Sequence, residues 1–125
     1  QLMVKMDNVI DLDKAEFFGA SNMLSVIYYT VGNKLYGYDF ARKKCELLKT
    51  FDGYEITSFL SDILVQTSRD YFYIALYDPS KPASTGGTIM KYEVVDDVDH
   101  IIIKEEKGSE WKNLCKVKSM AFKSR

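Results

Sequence analysis

The sequence predicts an all-β domain of antiparallel meanders forming about two propeller-like blades, a partial β-propeller. Three observations predict it. From Val26 onward, short runs rich in Tyr, Ile, Val and Phe alternate with Gly, Asn, Asp and Pro punctuation. Within those runs apolar and polar residues alternate with the period of two that a half-buried strand requires. The order of runs in the first half then returns in the second, at a spacing near that of propeller blades. A β-sandwich or a small barrel would satisfy the first two observations equally well.

The amino-terminal stretch is the least regular. Residues 1–6 read as a strand from a preceding unit and 7–13 as a turn. Residues 14–18 read as a helical turn, or as a support that packs Phe17 and Phe18 under the sheet. The runs 26–31 and 34–40 then flank Gly32-Asn33, a pair that tolerates positive φ and predicts a two-residue hairpin turn. In the second run Tyr36, Tyr38 and Phe40 share one face, while Leu35, Gly37 and Asp39 share the other. A third strand is predicted over 44–51, and Asp52-Gly53 breaks the pattern before a fourth over 56–60.

The second half predicts strands over 71–77, 88–95, 100–107 and 117–122. Lys34-Leu35-Tyr36-Gly37-Tyr38-Asp39 lines up with Thr88-Ile89-Met90-Lys91-Tyr92-Glu93, and Ile56-Thr57-Ser58-Phe59 with Val117-Lys118-Ser119-Met120. The whole chain, 1–125, reads as one domain with repeat units at approximately 24–63 and 64–125, a piece of a longer protein.

Composition agrees with strands and limits partners. Aromatic residues are 14% of the chain, an enrichment that favours pleated surfaces over helices. Lys and Arg number 17 against 18 Asp and Glu, so no net field attracts nucleic acid or an anionic membrane. The longest apolar runs fall well short of the ~20 residues of a spanning helix, and no membrane insertion is expected. Cys45 and Cys115 stand far apart without a CxxC partner, which favours free buried thiols over a zinc or dithiol site and leaves a single bridge open in an oxidising compartment.

The string Tyr28-Tyr29-x-Val31-Gly32-Asn33-Lys34-Leu35-Tyr36-x-Tyr38-Asp39, with Lys116-Val117-Lys118-Ser119-Met120-Ala121-Phe122-Lys123, resembles the carboxy-terminal part of the PKD-like surface lipoproteins of Bacteroidetes-type bacteria. It also resembles generic WD40-like or kelch-like blades. The resemblance covers roughly the last hundred residues and carries no catalytic residue. It implies an exported protein at the outer cell surface or in the periplasm, with a binding role.

No local pattern assembles a catalytic centre, and no cofactor or metal is expected. His100 is the single histidine and opens the run Ile101-Ile102-Ile103, so a triad would lack a neighbouring nucleophile motif. Asp96, Asp97 and Asp99, like Asp7, Asp11 and Asp13, lack the Gly and terminal Glu of a calcium loop and read as solvated turns. Glu105, Glu106 and Glu110 invite a glycosidase reading, but neighbouring Lys104, Lys107 and Lys112 favour a solvent-facing edge strand of mixed charge. Ser84-Thr85-Gly86-Gly87 lacks the Lys and the following helix of a phosphate loop, and reads as a hairpin loop. Amphipathic rings near strand ends remain, and Tyr54, Tyr77 and Trp111 are the ligand-binding candidates. The expected function is a non-catalytic recognition or scaffold module that binds protein or glycan through loops and exposed aromatics, with self-association through open sheet edges. The alternative is part of a glycan-cleaving propeller whose catalytic residues lie outside this chain.

Overall fold

The computed structural model describes residues 12–21, 24–61 and 70–120. A single 3-10 turn, Leu12–Lys14, precedes eight strands: β1 (Phe18–Ala20), β2 (Val26–Val31), β3 (Lys34–Asp39), β4 (Lys44–Thr50), β5 (Glu55–Ser61), β6 (Asp70–Tyr77), β7 (Gly87–Asp96) and β8 (Ile101–Leu114). They form two antiparallel four-stranded sheets, ordered β1-β2-β3-β4 and β5-β6-β7-β8. The all-β prediction holds for the described residues, and both sheets are simple meanders.

The allocation of strands differs from the sequence reading. The run 56–60 opens the second sheet, pairing Phe59 with Ile74, where it was expected to close the first meander. The first sheet takes its fourth strand from the other end: Phe18–Ala20 pairs with β2, Phe17 packs against the core and Phe18 is exposed. Three residues are too few for a period-two pattern to show. The expected strand over 117–122 is absent among the described residues 117–120, which follow β8 without regular structure. Residues 121–122, the expected strand over 1–6 and most of the expected turn over 7–13 lie outside the described residues; residues 12–13 of that turn open the 3-10 turn.

Gly32 takes φ 61° and joins β2 to β3 with Val31 opposite Lys34, the tight hairpin its sequence predicts. On β3 the face that meets the second sheet is the small one. Leu35 joins the core and Gly37 faces Ile101 and Leu48, so closely that an added Cβ would lie 2.9 Å from Ile101 Cδ1. The aromatic face carries Tyr36 and Tyr38 away from that core, with Tyr36 stacked on Tyr29 at 5.3 Å and the Tyr29 hydroxyl 3.0 Å from Cys45 Sγ. All three tyrosines are nonetheless buried.

One hydrophobic core joins the sheets. Val26, Tyr28 and Leu35 of the first meet Ile56, Phe59, Phe72, Ile74, Leu76, Tyr92, Val94 and Ile101 of the second, with Phe51 from the connection between them. Tyr28 lies 5.8 Å from Phe59 and 5.6 Å from Phe72, ring centre to ring centre. Each such burial contributes roughly 1.5–3 kcal/mol, so this seam is the main force holding the sheets together.

Polar ties fix their alignment. Arg42, in the β3–β4 turn, donates to Asp39 Oδ2 at 2.5 Å, and across the seam to Asp96 Oδ1 and the Val98 carbonyl, both at 2.7 Å. Glu46 Oε2 accepts from the backbone N–H of Ile101 at 3.2 Å, and Ser61 Oγ from that of Ala20 at 3.1 Å. Strand β1 thus lies against β5 and β4 against β8, like strand beside like strand.

Strand β8 is interrupted. Glu105 pairs with Tyr92 and Glu110 with Met90, so residues 106–109 stand opposite Lys91 alone. This four-residue excursion turns at Gly108, with φ 82°.

Candidate functional site

A concave site lies between the sheets, at the end where β4 runs into β5, and encloses about 380 Å3. One wall is Lys49, Thr50, Phe51, Asp52 and Tyr54; the other is Leu76, Thr88, Met90, Tyr92, Glu105 and Glu110.

Local chemistry builds each wall. The Phe51 N–H donates to the Asn33 carbonyl at 2.9 Å, and Asn33 Nδ2 donates to the Phe51 carbonyl at 3.2 Å, so the β2–β3 hairpin pins the connection after β4. The Tyr54 N–H donates to the Phe51 carbonyl at 3.1 Å and Gly53 takes φ 82°, which closes the turn and leaves the Tyr54 ring 40% exposed at the rim. Buried Phe51 meets Tyr92 edge-on at 6.1 Å, and Lys49 Nζ lies 5.6 Å from the Phe51 ring centre.

On the opposite wall the β8 excursion decides the chemistry. Residues five apart on a regular strand face opposite sides of the sheet. The extra residues restore the phase, so Glu105 and Glu110 stand beside neighbouring same-face residues, Tyr92 and Met90. Tyr92 is 3% exposed, and among the described residues its hydroxyl meets only Met90 Sδ, at 3.8 Å. Burial first, then Glu105 and Glu110, push the Tyr92 phenol up to about 12.

The three sequence candidates do not converge. Tyr54 alone lines the groove. Trp111 pairs with Ile89 on the outer face of the second sheet, 48% exposed and 6.5 Å from the Tyr73 ring. On that face Lys91 Nζ sits over Tyr71 at 4.1 Å. Tyr77 is engaged within the β6–β7 loop, its hydroxyl donating to the Lys81 carbonyl at 2.5 Å and its ring 4.7 Å below Lys116 Nζ.

No family model, curated protein or solved structure matches this chain. The site therefore speaks through its own geometry.

Ser84-Thr85-Gly86 lies in the β6–β7 connection, with the Asp78 N–H donating to the Gly86 carbonyl at 2.9 Å, while Gly87 already opens β7. Asp78 accepts from the Ser80 hydroxyl and N–H, which hold its carboxyl below the usual range. His100 faces Asp97 at 3.8 Å in the β7–β8 turn, and Asp96 is engaged by Arg42. Asp13 is exposed, whereas Asp7 and Asp11 lie outside the described residues. Both cysteines are free, but neither is buried as expected: Cys45 is half-buried, and Cys115 is exposed because the chain has already left the sheet there. Among the described residues no helix is long and apolar enough to cross a membrane.

Proposed function

We propose that this chain is a non-catalytic recognition module, two successive blades of a propeller-like array, that takes a protein or glycan ligand in the groove between its sheets. The observation that carries the reading is the groove itself, where the exposed Tyr54 ring, the buried Tyr92 hydroxyl and the carboxylates of Glu105 and Glu110 converge. Such sites pair an apolar surface with a few placed polar groups. The blade reading is supported by the stacking of like strands, β1 on β5 and β4 on β8. The resemblance to PKD-like surface lipoproteins supports placing the module in an exported protein.

Glycan and peptide arrays probed with the protein and its Tyr54→Ala variant test the reading. A ligand retained by the first and weakened about ten-fold in the second is the expected result. Array binding that Tyr54→Ala leaves unchanged, or none at all, counts against it. Glu105 and Glu110 on one wall also favour a second reading, glycan cleavage, which would appear as released reducing sugar that stops in Glu105→Gln.

A further inference from the structure

We propose that the groove is shaped for a cationic side chain, so that its ligand is a basic peptide segment presenting lysine or arginine. This rests on reading the groove as a recognition site and names what it recognises.

Charge is the first support. Three carboxylates, Asp52, Glu105 and Glu110, line the groove against one ammonium, Lys49. Among the described residues Glu105 has no ion-pair partner, and Glu110 is met only by exposed Lys112, at 3.4 Å. Negative potential therefore remains to be complemented from outside. An anionic ligand would meet it as repulsion.

The aromatic wall supplies the second support, independent of charge count. Lys49 Nζ already lies 5.6 Å from the Phe51 ring centre, within the range at which a ring face attracts an ammonium. Tyr54 offers a further exposed ring at the rim. The third support is the Tyr92 hydroxyl. It belongs to a residue only 3% exposed, among the described residues donates to nothing but a thioether sulfur, itself a weak acceptor, and keeps its lone pairs for an incoming N–H donor. A neutral sugar is served less well: acceptors outnumber donors, and Tyr54 is the one substantially exposed ring among the lining aromatics.

Calorimetric titration with acetylated tri-lysine amide, its Nε-acetylated neutral form and chitotriose tests the inference on the whole chain. Tri-lysine should bind, its neutral form should not, and high salt should weaken the complex. Replacing both carboxylates, Glu105→Gln with Glu110→Gln, should weaken tri-lysine about ten-fold. Lys49→Ala is the discriminating variant: by removing the competing ammonium it should tighten tri-lysine about three-fold. Circular dichroism of each variant establishes that the sheets persist. Equal binding of the charged and neutral peptides, or weakening by Lys49→Ala, overturns the inference. If chitotriose binds and is lost in Tyr54→Ala while tri-lysine does not compete, the cationic ligand falls and the recognition reading stands. If neither probe nor any array ligand binds, both fall.

Discussion

Tyr92 is the residue at which core and groove meet. Its ring stacks on Phe72 at 5.4 Å while its hydroxyl opens toward Glu105 and Glu110. Because the fold holds this phenol above its ordinary value, and Tyr28 above its own, the folded state favours the protonated forms. That contribution is complete below about pH 10 and is lost as the pH rises through about 12. Denaturation midpoints measured across this window should fall less steeply for Tyr92→Phe than for the unaltered protein. Asp39 makes a second case. It is 4% exposed and accepts from the N–H groups of Ala41 and Arg42 as well as from the Arg42 guanidinium. Asp39→Ala should cost about 2 kcal/mol in denaturant unfolding, since three donors lose their acceptor together. At this scale sequence reading reached Tyr54, missed Tyr92 and Lys49, and named Glu105 and Glu110 only to set them aside. Composition could not separate Tyr92 from the other strand tyrosines, and the flanking lysines made Glu105 and Glu110 read as part of a solvent-facing edge strand. Only Gly108 hinted at the phase change that unites them.

Strands with a clear alternation and a glycine-marked turn were legible. β2, β3 and their Gly32-Asn33 hairpin lie within a residue of their expected places, because turn chemistry and period agree there. The elements missed are those in which one signal is absent. β1 is too short to show a period. The expected strand over 100–107 stops short of β8, which continues to Leu114 through Gly108-Ser109, a pair whose composition reads as loop. The late run after Lys116 has strand-like composition but no neighbour to pair with in 117–120, while the chain just before it crosses close to the start of β7. A Cβ added at Gly87 would run into the Cys115 carbonyl. Gly87→Ala should therefore destabilise by about 1–3 kcal/mol, read as a lower unfolding midpoint, because backbone rather than a flexible side chain must move.

Two sheets joined by one core and by the Arg42 fork should unfold together. Calorimetry should show a single transition, and Arg42→Ala should lower its midpoint more than Lys44→Ala, which removes only the exposed contact with Glu46. Each sheet nevertheless ends in strands without a further partner among the described residues, β1 and β4 in one and β5 and β8 in the other. Self-association along those edges is the expected consequence, and light scattering should report a mass that grows with concentration. The four edges are unequal templates. β1 is three residues long, and β8 is broken by its outward excursion, so neither offers a long uninterrupted ladder. The same excursion has a use in the laboratory. Its apex, Gly108, is exposed, and nothing lies within 4 Å of where a side chain would start. A reporter peptide grafted there would hang clear of both sheets and sit next to the mouth of the groove, turning ligand arrival into a signal without disturbing the layers beneath.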